Sequence, residues 1–140
     1  MKKTASAIAW TALGIAIGAG GVAVAQAVLP VAQLPTQGHV FARVDLGPEF
    51  PALQGYVLTL GQTTVPPGAG KGPHQHAHLP EIVHIVSGVL SDQRNGGAIT
   101  DNGPGTTLVN ANMTTHATLN RGQEPVVFWV ANIRKADSAN

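Results

Sequence analysis

The chain has 140 residues, only 4% of them aromatic, with 17 glycines, 10 prolines and no cysteine. One domain fits that length and two do not. The missing cysteine excludes disulfides, thiolate metal sites, cysteine nucleophiles and a lipidated N-terminal cysteine, and a net charge of +1 offers no basic stripe for nucleic acid.

The first 27 residues read as a signal peptide or membrane anchor. Lys2 and Lys3 form a positive start, residues 5–25 carry no charge, and Ala23-Val24-Ala25 and Ala25-Gln26-Ala27 are both small-x-small cleavage sites. A retained anchor is the competing reading, because the uncharged run is about long enough to span a bilayer. Its Gly and Ala content makes it weakly hydrophobic, so cleavage is favoured. Either way the rest of the chain lies outside the cytoplasm, in the periplasm or secreted, and touches a membrane only if this segment stays. Without Lys2 and Lys3, six of the eight basic residues face seven acidic ones, a mature charge near −1.

Residues 28–38 hold two prolines and no clear period, and read as a linker or arm. Short β-prone runs follow at 39–46, 55–64, 73–78, 81–87, 89–93, 98–101, 106–110, 114–119 and 125–133. Pro66-Pro67-Gly68, Asn95-Gly96-Gly97, Asn102-Gly103-Pro104-Gly105 and Asn120-Arg121-Gly122-Gln123 punctuate them. The last run is the most apolar and reads as a central strand. No segment after residue 30 shows a helical period. Residues 39–134 therefore predict one all-β domain of eight or nine strands, a double-sheet jelly roll or barrel, followed by a polar tail over 135–140.

Chemistry concentrates in residues 72–88, GPHQHAHLPEIVHIVSG. Alternate residues of a strand share a face, so His74, His76 and His78 project together, with nearest same-face neighbours about 7 Å apart. Leu79-Pro80 breaks the chain. Glu81 then opens a second strand, where its carboxylate can fall beside the first strand's histidines. An exposed, adventitious His-x-His-x-His metal binder is the bland alternative. Imidazoles with a carboxylate suit Fe(II), Mn(II), Ni(II), Cu(II) or Zn(II) and leave positions open for substrate. His84 is odd-spaced from Glu81 and points to the opposite face. Asp92, Asp101 and Glu124 read as turn residues, and no serine–histidine–acid pairing is visible.

This stretch resembles the first motif of the cupins, G-x5-H-x-H-x3-4-E-x6-G, in Gly68, His74, His76, Glu81 and Gly88. The second cupin motif, G-x5-P-x-G-x2-H-x3-N, is matched at Gly105, His116 and Asn120, while Ala111 and Met113 replace its proline and glycine. The resemblance spans roughly residues 40–133. It implies a double-stranded β-helix, the jelly-roll barrel of small exported cupins, with one divalent transition metal ion held by His74, His76, Glu81 and His116. Val83 and Ile85 then face the cavity with Glu81. Thr114 and Thr118 join His116, and Leu58, Leu60 and one of Phe128 or Trp129 are further lining candidates. Met113 is placed to reach toward the pocket.

Three functional expectations follow. The first is a metal-dependent oxidoreductase acting on a small-molecule substrate, quercetinase-like dioxygenase chemistry being the leading form, with His78 as a catalytic proton-transfer group at the mouth. The second is a non-catalytic cupin that binds a metal or small ligand, since one fold hosts many chemistries. The third is a homodimer, with residues 39–46 pairing against a neighbour's sheet.

Overall fold

The computed structural model describes residues 27–30 and 34–137. The signal-peptide reading of residues 1–27 therefore lies outside the described residues except at Ala27, as do the last three residues of the polar tail.

Among the described residues nine strands form in chain order: β1 Gln37–Asp45, β2 Tyr56–Val65, β3 Gly70–Gln75, β4 Glu81–Ser87, β5 Leu90–Arg94, β6 Ile99–Asn102, β7 Thr107–Asn110, β8 Thr115–Leu119 and β9 Val126–Lys135. Each overlaps one of the nine runs expected from sequence, β3 only at residues 73–75, because the strand ends before His76. A single turn of 3-10 helix, Pro51–Leu53, stands between β1 and β2. It is too short to leave a helical period. Gly88 turns β4 into β5 at φ +74°, and a Cβ there would lie 2.6 Å from the Pro125 carbonyl oxygen. Both the angle and the close approach demand glycine.

The strands make two antiparallel sheets, β1-β2-β9-β4-β7 and β3-β8-β5-β6. The expected closed barrel is not what forms. A barrel needs one continuous hydrogen-bonded ladder, whereas here the first sheet ends at β1 and β7 and the second at β3 and β6. The architecture is an open, cupin-like double-stranded β-helix of two facing sheets. Side-chain bonds help to bridge them: Arg94 of β5 donates to the Val109 carbonyl and to Asn110 Oδ1 of β7.

Directly opposed residues of an antiparallel pair share a face, so the registers sort the inner face of the five-stranded sheet into rows. One row is Val65–Val126, and the next is Thr63–Phe128–Ile85. Gly61–Val130–Val83–Leu108 follows, and then the polar row Thr59–Asn132–Glu81–Asn110. Apolar packing occupies one end: Val65, Ala69, Val83, Ile85, Leu90 and Val126 are buried together, with Leu108, Phe128 and Val130 against them. Burying each such aliphatic side chain contributes about 1.5–3 kcal/mol.

The parity expected for β2 is reversed. Val57 and Thr59 point inward, while Leu58 and Leu60 are exposed on the outer face. The inner position is polar for a reason. Thr59 Oγ1 donates to Asn132 Oδ1 across the ladder at 2.8 Å, a partner that leucine could not provide. Of the two aromatic candidates, Phe128 packs on the core and Trp129 is exposed.

Candidate metal centre

Three histidines converge at the polar end. β3 and β8 pair in a register that sets His74 directly opposite His116. The pairing extends one step past β3, where the His76 N–H donates to the Thr114 carbonyl at 3.1 Å. His76 and His116 are buried, at 2% and 5% exposure, and His74 is half-buried. His76 Nε2 lies 3.2 Å from His74 Nε2 and 2.9 Å from His116 Nε2. One ligand atom from each of the three falls within 4.8 Å of the other two.

The other nitrogen of each ring is tied to an oxygen that can only accept. His74 Nδ1 lies 2.9 Å from the Gly72 carbonyl, and His76 Nδ1 3.2 Å from the Leu79 carbonyl. His116 Nδ1 lies 2.8 Å from Asp92 Oδ1. Each Nδ1 must therefore carry the proton, and in a neutral imidazole Nε2 is then a bare lone pair. Three lone pairs pointing at one another repel unless a cation sits between them. Protons are a poor solution, because burial pushes His74 down to about 4 and also lowers His76. In His76 the charge of Glu81 and the Leu79 carbonyl oppose that burial but do not overcome it.

A metal ion suits the donor set. At a metal–imidazole distance of about 2.1 Å, adjacent nitrogens are about 3.0 Å apart in an octahedral site and about 3.4 Å in a tetrahedral one. Neutral imidazole is a ligand for Zn, Cu, Fe and Ni alike. The His74/His76/His116 cluster could therefore coordinate a metal ion.

Glu81, the fourth expected ligand, stands outside this group of three. It opens β4 opposite Asn110 and Asn132, and its Oε1 accepts a hydrogen bond from Asn110 Nδ2 at 3.0 Å. It remains close enough for its charge to act on His76. His78 does not share the face of His74 and His76. The chain turns at residues 76–79, closed by Leu79 N–H to the His76 carbonyl, and His78 sits exposed in the left-handed region at φ +60°. His84 points to the outer face, with Nδ1 2.9 Å from Thr107 Oγ1.

Sequence reasoning missed Asp92. It is not a turn residue but the middle of β5, fully buried, between His116 and Arg94. Burial alone would raise its carboxyl, but the hydrogen bonds from His116 and Arg94 outweigh burial and hold it below the usual carboxylate range. Its spacing from Arg94, two residues along one strand and so on the same face, was the available signal.

The second-motif departures also have structural readings. Residues 111–114 form a turn closed by Thr114 N–H to the Ala111 carbonyl. Ala111 donates its own N–H to Thr114 Oγ1, a bond that proline could not make. Met113 takes φ +71° and is 76% exposed, pointing to solvent rather than to the pocket. Asn120 is buried and structural: Nδ2 donates to the Val65 and Glu124 carbonyls, and Oδ1 accepts from Gly122 N–H.

The Cupin domain family matches residues 61–132. Among solved structures, KdgF from Halomonas sp. is similar with a TM-score of 0.57 and 20% identity, over 73% of this chain and 82% of that one. An uncharacterized conserved protein with a double-stranded beta-helix domain from Klebsiella pneumoniae gives 0.54 and 19%, over 80% and 86%. The Schizosaccharomyces pombe Cnp3 cupin domain gives 0.50 and 17%, over 54% of this chain and about half, 51%, of that one. At these identities the likeness shows the fold alone. No curated protein matches the chain.

Proposed function

The chain belongs to the Cupin domain family, and from that premise we propose that it is an exported metal-dependent oxidoreductase of small molecules, in the manner of a quercetinase-like dioxygenase. One divalent ion, Fe, Mn, Ni, Cu or Zn, would be held by His74, His76 and His116. The observation that carries this reading is the locked tautomer of all three rings, which leaves three convergent lone pairs. When bound, the ion would supply Lewis-acid chemistry and, for the redox-active ions, one-electron chemistry to an enol, catechol or carboxylate.

The chain's own residues divide the remaining work. Gly72, Leu79 and Asp92 orient the rings through Nδ1. Val83, Val130 and Leu108 form the row next to Glu81 and keep water from that side. Asp92 is already bonded to His116, so Glu81, whose charge acts on His76, is the carboxylate left to hold a substrate proton.

Metal analysis of the native protein, followed by O₂ uptake with catechols and flavonols, tests the proposal. Stoichiometric ion that disappears in His76→Ala, with uptake that disappears alongside it, is the expected result. A folded protein that takes up no ion under any condition would overturn it. A second reading, a non-catalytic cupin that binds a metal or small ligand, is favoured by the exposed position of His78. Stoichiometric ion without O₂ uptake on any such substrate selects it.

The same proposal places the protein in the periplasm or the medium, on the strength of its N-terminal pattern; cell fractionation checks this. It also takes the protein as a homodimer joined at β1. That strand ends its sheet, all nine of its residues are exposed, and its only charges, Arg43 and Asp45, pair with each other. An unprotected apolar edge of this kind is a docking strand. Light scattering should give twice the chain mass, and a monomer at high concentration would refute the dimer.

A further inference from the structure

A line of buried and half-buried polar groups runs from the three histidines across to the opposite sheet. His116 Nδ1 donates to Asp92 Oδ1 at 2.8 Å, and Arg94 Nε donates to Asp92 Oδ2 at 2.6 Å. A second Arg94 nitrogen donates to Asn110 Oδ1 at 2.7 Å, and Asn110 Nδ2 donates to Glu81 Oε1 at 3.0 Å. The line passes from β8 through β5 to β7 and ends on β4. Asp92 is 0% and Asn110 1% exposed.

Each link sets the direction of the next. A carboxylate has only acceptors, so Asp92 fixes both the tautomer of His116 and the lie of the Arg94 guanidinium. A guanidinium has only donors, so it must meet the oxygen end of Asn110. The amide is thereby oriented, and its nitrogen end is aimed at Glu81. That bond takes Oε1 of Glu81, whose carboxylate stands outside the group of three nitrogens, yet near enough for its charge to reach His76.

We infer that Arg94 and Asn110 are positioning residues that park Glu81, so that the ion is held by three histidines alone and Glu81 becomes a fourth ligand only when Asn110 lets go. This rests on the metal-binding reading above. Two consequences follow. Removing the Glu81 charge leaves the ligand set of the three-histidine site unchanged and weakens it only by the loss of a nearby negative charge. Removing the Asn110 donor frees Glu81 to enter the coordination sphere, which tightens binding by about tenfold, the low end of what outer partners of metal ligands control.

The test is a Co(II) titration of the metal-free protein, read by visible absorption for ligand set and by chelator competition for affinity. Four variants join the native chain: Glu81→Gln, Asn110→Ala, Asn110→Asp and Asn110→Asp combined with Glu81→Gln. Asn110→Asp keeps an acceptor for Arg94, removes the donor and repels the Glu81 carboxylate, so Arg94 keeps a partner where alanine would leave that nitrogen unpaired. Expected are superimposable spectra for native and Glu81→Gln, with an affinity at most about tenfold weaker in the variant. A changed spectrum and tighter binding are expected in both single Asn110 variants, with return to the native spectrum in the double variant.

A Glu81→Gln spectrum that differs from native would show Glu81 already bound and overturn the inference. Native-like spectra in the folded Asn110 variants would do the same. The first comparison leaves Asn110 intact, so it decides the matter even if those variants do not fold. Absence of any stoichiometric Co(II) binding by the folded native chain would instead sink the metal reading and this inference with it.

Discussion

The two ends of the sandwich are built on different principles. At one end Val65, Val83, Ile85, Leu90 and Val126 gain by leaving water, and their packing is shared among many neighbours. At the other, His74, His76, His116, Asp92, Asn110 and Glu81 are held by one or two directed hydrogen bonds each, and the loss of one leaves a buried or half-buried polar group unpaired. The apolar end needs only the right volumes. The polar end needs every donor to find its acceptor, and its three facing lone pairs also need a cation. Stability should therefore be insensitive to metal and pH at the first end and sensitive to both at the second.

Asp92→Ala should break the polar end most severely. It leaves Arg94 and His116 without their shared acceptor, a loss of about 4 kcal/mol by analogy with other broken buried ion pairs. Ile85→Ala should cost somewhat less, about 3 kcal/mol, from lost burial and the cavity left behind. Urea unfolding measures both. What separates the ends is metal affinity: Ile85→Ala should retain it, while Asp92→Asn, which keeps the shape, should lose about 10- to 100-fold. Equal affinities in the two variants would erase the distinction.

A slightly smaller effect is the stabilisation by metal itself. At a free ion concentration of about one hundred times Kd, a native-state ligand adds about 2.7 kcal/mol. Thermal melts with and without Zn(II) or Co(II) should show that gain in the native chain and in Ile85→Ala, and none in His76→Ala. A gain that survives His76→Ala would place the ion elsewhere.

How far these ends could be read from the chain differs in the same way. The strands and the pair His74 and His76 were legible, because period-two patterning and turn residues announce them locally; His116 came only from its match to the second cupin motif, and the same patterning wrongly set His78 beside the pair. Val83 and Ile85 were legible as inward-facing, since they follow Glu81 at even spacing. Asp92 was not, because a carboxylate in the middle of a strand runs against strand propensity and is tolerated only through Arg94 and a histidine 24 residues away. The face of β2 was misjudged because Leu58 and Leu60 outweigh Thr59 in apolarity, while the bond from Thr59 to Asn132 is invisible 73 residues apart. Barrel closure was misjudged because patterning tells which face of a strand is buried, not whether the last strand finds the first. Glu81 matched its motif position, but the amide that holds it belongs to β7.

The pH dependence of the metal-free protein is a weaker probe of the same contrast. Burial lowers His74 from 6.5 to about 4 and shifts His76 in the same direction. A folded-state pKa below the unfolded one means that the unfolded chain takes up protons first as pH falls. The stability tied to these rings is therefore complete above about pH 6.5 and is lost progressively toward pH 4. Asp92, also depressed, extends the loss to still lower pH, through and below the ordinary carboxylate range. Urea midpoints between pH 7.5 and 4.5 should fall in the native chain and fall less in His74→Ala. A flat profile in the native chain would mean that these rings are not buried neutral.

The smallest effect tests whether the polar end is strained as well as hydrogen-bonded. Met113 holds φ +71° at the third position of the turn leading into β8, where the cupin pattern has glycine. A side chain there costs about 1 kcal/mol or more, while glycine adopts that angle freely but loses more entropy on folding. Met113 is 76% exposed, so its replacement forfeits little packing. Met113→Gly should therefore stabilise the protein by about 0.5 kcal/mol, and Met113→Val should destabilise it, since β-branching is worst in that region. Neither should move metal affinity, because the His116 ring is set by Asp92 and not by the turn. If Met113→Gly weakens metal binding instead, the turn itself helps to aim His116, and the strain at residue 113 belongs to the site rather than to the loop that precedes it.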